Sequence, residues 1–216
     1  AGSHSGLTVG EDGASHQALE DIALMRAIPG MTILSPADAI ETKKAVKAAL
    51  EHIGPVYIRL SRPASPILFD EDYDFEIGRI SQKAFLRDGD DVAILATGYM
   101  VAEALKAADL LRADGIEAAV VNVSTIKPLD VKTIVAIATR CRGVVTVEDH
   151  SVIGGLGSAV SEVLSEKFPV FVERIGTRDV FGQSGSPGEL LKAYSMSADD
   201  IKNAAMGVIR KKAKGI

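Results

Sequence analysis

The sequence lacks the features that mark several classes of protein. It has one cysteine, Cys141, and no tryptophan, and aromatic residues make up only 5% of the chain. A single cysteine excludes an internal disulfide, and we expect a cytoplasmic protein. Because aromatic residues are so few, the core must be built from alanine, valine, isoleucine and leucine.

Charge and hydrophobicity argue against two further kinds of partner. No apolar run reaches the roughly 20 residues that a helix needs to cross a bilayer. The net charge is −5, and lysine and arginine form no continuous stripe. We therefore expect neither a nucleic acid nor a membrane as partner.

Short apolar segments alternate with amphipathic segments along the 216 residues. The run DVAILAT, at residues 91–97, is typical of a strand buried on both faces of a parallel sheet. The alternation predicts an α/β fold with mainly parallel sheets. Predicted strands cover 31–36, 56–61, 91–97, 117–125, 143–149 and 169–176; predicted helices cover 17–28, 37–53, 99–113, 130–140, 154–167, 187–194 and 198–213. Residues 126–129 are predicted to be a connection.

The pattern also divides the chain into two units and a linker. Periodicity dissolves from Arg62 to about Ser81, where two prolines and an acidic cluster occur. We place an interdomain linker at 67–82 and expect its apolar residues to contact a surface. Residues 83–216 are complete enough to fold alone. Residues 1–66 offer two strands and two helices, too few to cover both faces of a parallel sheet, so we expect them to be the C-terminal part of a larger domain.

The loop from His4 to His16 concentrates residues that suit a ligand site. It holds two histidines, Glu11, Asp12, hydroxyl groups and several glycines. Glycine lets the backbone approach a ligand, and histidine can donate or accept a proton near neutral pH. The same loop could be a solvated segment in which Asp12 and Ser15 cap the following helix. The pattern alone leaves both interpretations open.

A second polar group lies at the end of a predicted strand. Glu148, Asp149 and His150 stand together there, followed by the glycine-rich run GGLGSAV. A helix N-terminus of this kind can bind an anion, but a lone GGxG run is weak evidence. We interpret the glycines as a tight strand-to-helix turn and the three polar residues as structural or interface residues.

Several segments together resemble the transketolase family over essentially the whole chain. They are GEDGASHQALEDIALMRAIPGM, LSPAD, YIRLSRP, IKPLD, VEDHSVIGGLG and DVFGQSG. The chain is most similar to the C-terminal subunit of split transketolases, in which two polypeptides make the enzyme. The resemblance implies that 1–66 end a pyrimidine-binding domain of a thiamine diphosphate enzyme. It implies that 83–216 form a Rossmann-like transketolase C-terminal domain.

The resemblance also implies roles for single residues. His4 would help to bind a sugar phosphate, and Arg62 would bind its phosphate group. Asp12 would accept a hydrogen bond from the 2-hydroxyl of the acceptor aldose. His16 would be the catalytic and cofactor-contacting residue, near the thiamine aminopyrimidine and the substrate C2 oxygen. No metal ligand is expected here, because the family's diphosphate–Mg²⁺ site and pyrimidine contacts belong to regions outside this chain.

The implied function is transfer of a two-carbon ketol unit from a ketose phosphate to an aldose phosphate. This chain would supply substrate-binding residues and a domain that forms a homodimer. It would need an N-terminal transketolase subunit or section, together with the upstream residues of its own pyrimidine-binding domain, and would be inactive alone. Two alternatives remain at this stage: a deoxyxylulose phosphate synthase or 2-oxoacid dehydrogenase beta-type subunit, and a non-catalytic assembly module.

Overall fold

The computed structural model describes residues 1–214, and within them strands and helices alternate as the sequence predicts. The strands are β1 (Thr32–Leu34), β2 (Val56–Ile58), β3 (Phe85–Arg87), β4 (Val92–Ala96), β5 (Ala118–Asn122), β6 (Thr125–Lys127), β7 (Gly143–Ser151) and β8 (Phe171–Thr177). The helices are α1 (Asp21–Ala27), α2 (Ala39–Glu51), α3 (Met100–Ala113), α4 (Val131–Cys141), α5 (Leu156–Lys167), α6 (Pro187–Ala193) and α7 (Ala198–Ala213). No helix in this described range is long and apolar enough to span a bilayer.

The larger sheet has the strand order β3-β5-β4-β7-β8. Strands β5, β4, β7 and β8 are parallel, and β3 is an antiparallel edge strand. In β4, Val92 and Ile94 join the core beneath α3 and α7, whereas Ala93 and Leu95 join the core beneath α4 and α5. Both faces of the strand are thus buried, which explains why its sequence is a continuous apolar run. The predicted α/β class is confirmed.

A smaller sheet joins the first unit of the chain to the second. Its order is β2-β1-β6, in which β1 and β2 are parallel and β6 is antiparallel to β1. The prediction of a connection at 126–129 was therefore partly wrong, because Thr125–Lys127 is a strand. Its partner β1 lies far away in sequence, with Ile33 opposite Lys127. A local pattern cannot show a strand that a distant partner induces.

The predicted helix at 17–28 begins later than expected, at Asp21. Residues before it form turns and bends that distant residues hold in place: Ser5 forms a bridge with Ala18, and Leu19 is buried. The side chain of Gln17 also binds backbone carbonyls elsewhere. Tertiary contacts therefore override the apolar periodicity in this first turn. Strand β3, at the sheet edge, was not predicted.

The segment placed as a linker lies firmly against the protein. Phe69 and Tyr73 are buried and stack with ring centroids 4.0 Å apart. Asp38, the N-cap of α2, also accepts hydrogen bonds from the backbone of Leu68 and Phe69. The expected contact of this segment with a surface is confirmed, while the limits 1–66, 67–82 and 83–216 stay a prediction.

Candidate functional site

The loop from His4 to His16 has a buried backbone and exposed side chains. Leu7–Val9 form a short 3-10 turn that is fully buried. His4, Asp12 and His16 on either side of this turn are exposed. The backbone of this loop is fixed by burial, and its polar side chains remain accessible to a ligand.

A carboxylate from β7 holds this turn from below. Asp149 Oδ1 accepts a hydrogen bond from Leu7 N at 2.7 Å. Asp149 Oδ2 accepts from Thr8 N at 3.2 Å and from Thr8 Oγ1 at 2.5 Å. Gly6, with φ of 91°, lies so close that a Cβ there would overlap this carboxylate. Burial raises the pKa of Asp149, while the charge of Arg59 and the hydrogen bonds from the turn oppose that rise.

Residues 182–185 hold the same loop from another side. Gln17 Nε2 donates to Leu7 O at 2.9 Å and to Gln183 O at 3.0 Å. Ser184 Oγ donates to Glu11 O at 2.6 Å. The segments DVFGQSG and GEDG, which lie far apart in sequence, are therefore packed together. Residues of the C-terminal part of the chain therefore hold this loop in position.

A buried ion pair lies beside Asp149. Arg59 Nε and Nη2 donate to the two carboxylate oxygens of Asp21 at 2.8 and 3.2 Å. Arg59 Nη2 also donates to Asp149 O at 2.8 Å, and Tyr57 Oη donates to Asp21 at 2.7 Å. Burial alone would raise the pKa of Asp21, but the charge and hydrogen bonds of Arg59 bring it below its ordinary value. The ion pair links Asp21 of α1 to Arg59, which directly follows β2, and Arg59 in turn contacts β7.

Glu148 and His150 flank Asp149 and are structural, as expected. The carboxylate of Glu148 accepts from Leu156 N at 2.6 Å and Gly157 N at 2.8 Å, so it occupies the N-terminus of α5. Burial raises the pKa of Glu148 to about 7, although these N–H groups oppose the rise. Burial and then the charge of Arg59 lower the pKa of His150 to about 4. Its Nε2 accepts a hydrogen bond from Ile22 N at 3.1 Å, which fits a neutral imidazole.

Two of the four predicted site residues meet directly. Arg62 Nη1 donates to Asp12 Oδ2 at 2.6 Å and to Val9 O at 3.0 Å. The side chains of Arg62 and Asp12 are 40% and 43% exposed, so solvent or a ligand can reach the pair. The alternative in which Asp12 and Ser15 cap a helix is wrong, because α1 begins only at Asp21.

The two histidines are placed differently. The segment around His4 runs beside the end of β2, since Gly2 N donates to Ile58 O and Ser5 N donates to Leu60 O. This brings the backbone of His4 close to the stretch that leads to Arg62. His16 Nδ1 lies 3.0 Å from Ser15 Oγ. No hydrogen bond in the described residues joins His16 to the Asp12–Arg62 pair.

The residues present fit only part of a cofactor site. His16 is exposed, and within the described residues its ring makes a hydrogen bond only through Nδ1, so Nε2 can meet a ligand. Among residues 1–214, no group of three or more His, Cys, Asp and Glu side chains is arranged to hold a metal ion. The chain can therefore offer an edge contact to a cofactor, but the donor set for a metal–diphosphate group is not found in this range.

Two domain models of one enzyme family match the sequence. The transketolase pyrimidine-binding domain model matches residues 1–66, and the transketolase C-terminal domain model matches residues 82–201. The chain belongs to the transketolase family. The four predicted site residues all lie within the first match, and Asp149 and the 182–185 segment lie within the second.

Known transketolases and their sections are similar over nearly the whole chain. The 6-deoxy-6-sulfo-D-fructose transketolase subunit SqwH of Clostridium sp. (strain MSTE9) is 44% identical over 98% of this chain and 65% of that subunit. The transketolase of Rattus norvegicus is 41% identical over 97% of this chain and 34% of that enzyme. A solved split gene transketolase, described as an inactive beta4 tetramer, is 48% identical with a TM-score of 0.89 over 96% of this chain and 65% of that one. The chain thus spans about two-thirds of a split-type relative and a third of a full-length one.

Proposed function

We propose that this chain is part of a transketolase that transfers a two-carbon ketol unit from a ketose phosphate to an aldose phosphate. The enzyme would act in the cytoplasm, in the pentose phosphate pathway. One observation carries the proposal: a loop with a buried backbone exposes His4, Asp12 and His16, and places Asp12 on Arg62. The relatives of this chain are transketolases and their subunits, which favours ketol transfer over the deoxyxylulose phosphate synthase and 2-oxoacid dehydrogenase alternatives.

Arg62 is the residue that would bind the phosphate group of the sugar. Within the described residues, both of its hydrogen bonds leave from Nη1. Its remaining donors, Nε and Nη2, match the fork geometry with which guanidinium groups bind phosphate. His4, on the adjacent segment, would add a donor to the same phosphate. A carboxylate beside a phosphate would repel it, but the pairing of Asp12 with Arg62 offsets that charge.

Asp12 would select the acceptor. A carboxylate only accepts hydrogen bonds, so it favours a hydroxyl group and disfavours a carbonyl at that position. Since Arg62 uses one oxygen of this carboxylate, the other oxygen is left to accept from the 2-hydroxyl of an aldose. The same arginine would therefore bind the phosphate and orient the residue that recognises the hydroxyl.

His16 would act on the oxygen whose charge changes during the reaction. An imidazole whose Nε2 faces the substrate can donate or receive a proton at the substrate C2 oxygen. When bound, thiamine diphosphate supplies the electron sink for cleaving and forming the carbon–carbon bond. His16 would lie at the edge of the cofactor's aminopyrimidine. The Mg²⁺ and the diphosphate group of the cofactor would be held by another polypeptide.

The proposed partners follow from this division of labour. An N-terminal transketolase subunit or section would provide the diphosphate site, and the C-terminal domain would form a homodimer. The solved relative described as an inactive beta4 tetramer associates with itself and is inactive in that form. That description supports a chain of this kind that assembles yet needs a second component for activity.

Reconstitution tests the proposal. The chain as given, a version extended to the full length of a split-type C-terminal section, the N-terminal section of a split transketolase, and the mixture of these two sections would each receive thiamine diphosphate, Mg²⁺, a ketose phosphate and an aldose phosphate. We expect the product sugar phosphates only from the mixture. Turnover by this chain alone would contradict the half-site, and decarboxylation of pyruvate in place of ketol transfer would favour the sister enzymes. A stable but inactive mixture would favour the assembly module.

A further inference from the structure

The carboxylate of the buried residue Asp149 forms its hydrogen bonds with the loop of residues 4–16. The residue lies on β7, within the match to the C-terminal domain, and is 2% exposed. Its carboxylate accepts every one of its three hydrogen bonds from the two consecutive residues Leu7 and Thr8. The neighbouring carboxylate, Glu148, accepts from the N-terminus of α5. Two adjacent buried acids thus hold two different parts of the chain.

The contacts continue from Asp149 to the exposed pair. Thr8 is followed by Val9, whose carbonyl accepts from Arg62 Nη1 at 3.0 Å. The same nitrogen donates to Asp12 Oδ2 at 2.6 Å. The position of Thr8 therefore sets the Val9 carbonyl, which in turn orients Arg62 and Asp12.

The fit between carboxylate and turn is close on every side. Gly6 leaves no room for a Cβ, since that atom would overlap the Asp149 carboxylate. Arg59 donates to the Asp149 main-chain oxygen at 2.8 Å and fixes the backbone from which the carboxylate projects. These neighbours restrict the position of the Asp149 carboxylate, and small shifts of groups at a binding site can greatly weaken its function.

We infer that Asp149 is a positioning residue for the sugar-phosphate half of the site. Through Leu7 and Thr8 it fixes the Val9 carbonyl, and through that carbonyl it aligns Arg62 with Asp12. The C-terminal domain would then contribute to substrate binding as well as to assembly. This inference rests on the proposed function, because it assigns the pair to a sugar phosphate.

The first test measures the loop without any need for activity. Hydrogen–deuterium exchange would compare Asp149→Asn with Glu148→Gln, which changes an adjacent buried acid in the same isosteric way. In Asp149→Asn, the new amide would oppose the Thr8 N–H, and we expect exchange in residues 5–13 to rise at least tenfold while residues 156–167 are unchanged. Glu148→Gln should give the reverse pattern. Faster exchange of the loop in both variants, or in neither, would overturn the inference.

The second test uses the enzyme reconstituted with the N-terminal section. Loss of a positioning residue for the ground-state complex should raise KM for the phosphorylated acceptor about tenfold or more in Asp149→Asn, with kcat within threefold of wild type. Thr8→Val removes only the hydroxyl from this contact and should raise KM by a smaller factor. Should Asp149→Asn fail to fold, Thr8→Val decides the matter. An unchanged KM in Thr8→Val, or equal losses in Glu148→Gln, would contradict the inference.

The two proposals can fail separately. A wild-type mixture that transfers no ketol unit would overturn the proposed function and, with it, the assignment of the positioned pair to a sugar phosphate. The exchange experiment would still decide whether Asp149 holds the loop. Normal ketol transfer with an unaltered loop in Asp149→Asn would instead overturn only the role of Asp149.

Discussion

The two Arg–Asp pairs at the end of β2 should differ greatly in their effect on stability. Arg59 and Asp21 are 3% and 11% exposed, whereas Arg62 and Asp12 are 40% and 43% exposed. The two arginines lie three residues apart in sequence, so each serves as the control for the other. We consider the replacements Arg59→Met and Arg62→Met, which keep most of the side-chain length and remove the charge.

The expected magnitude follows from what each replacement leaves behind. Without Arg59, the buried Asp21 carboxylate keeps only Tyr57 Oη and a more distant His150, and the carbonyl of Asp149 loses its donor. Removing one partner of a buried ion pair typically costs about 3–5 kcal/mol, because the other charge is left uncompensated. Removing one partner of an exposed pair typically costs about 0–1 kcal/mol.

Urea unfolding of the chain at neutral pH would measure both effects. With a denaturant dependence of about 2–3 kcal/mol per molar, Arg59→Met should lower the midpoint by about 1–2.5 M. Arg62→Met should shift it by a few tenths of a molar. The double variant Asp21→Leu with Arg59→Met should lose less than the sum of the single losses, because it leaves no unpaired charge. Equal midpoints for the two arginine variants would refute the reasoning about burial.

Other substitutions should reveal three further effects. Burial raises the pKa of Glu148 from 4.5 to about 7, so its contribution to stability is complete below pH 4.5 and is lost as the pH rises through 7. Burial lowers the pKa of His150 from 6.5 to about 4, so its contribution is complete above pH 6.5 and is lost as the pH falls through 4. Relative to the wild type, the unfolding free energy should therefore rise more steeply with pH in Glu148→Gln and less steeply in His150→Gln, by about 1–3 kcal/mol between pH 4 and 7. Profiles with the wild-type slope in both variants would refute the two pKa directions. Asp38→Ala removes the α2 cap and the acceptor for the Leu68 and Phe69 amides. It should lower the free energy of unfolding by about 2–4 kcal/mol and speed proteolysis between residues 62 and 81. Unchanged cleavage there would contradict the claim that Asp38 holds this segment. Leu111→Ala, in the core, should cost about 2–5 kcal/mol in urea unfolding, and the exposed Leu50→Ala should stay within about 0.5 kcal/mol; similar losses would contradict the packing.

The elements of the larger sheet could be predicted because their local signals agree with their environment. β4 is a continuous apolar run and is buried on both faces. The helix predicted at 130–140 is α4, and the carboxylate of Asp130 caps it by accepting from Thr133 N at 3.0 Å. In such segments the residues alone contain the information that the fold uses.

The errors occur where distant residues decide the local structure. β6 exists because β1 lies beside it, and the start of α1 is delayed because Gln17 is bound by Leu7 and Gln183. Neither partner is visible in a short window of sequence. Both errors lie where the two halves of the chain meet.

The candidate site was predicted as a set of residue types but not as a structure. The resemblance implied roles for Asp12 and Arg62 separately, and only the folded structure shows that they form an ion pair. The anchors Asp149 and Arg59 could have been suspected from one signal, a charged residue within or directly after a buried strand. That signal gives no partner, because each anchor contacts residues far away in sequence. The roles of His4, Asp12, His16 and Arg62 toward a sugar phosphate stay predictions.

Phosphate selectivity of the reconstituted enzyme tests the central claim most directly. The measurement is the ratio of kcat/KM for an aldose phosphate to kcat/KM for the same aldose without phosphate, in wild type, in Arg62→Gln and in the control Arg79→Gln, which changes an exposed arginine of the linker. A charge-assisted hydrogen bond contributes about 1.5–3 kcal/mol, so the ratio should fall at least tenfold in Arg62→Gln and stay unchanged in Arg79→Gln. An unchanged ratio in Arg62→Gln would contradict the claim that this chain binds the phosphate.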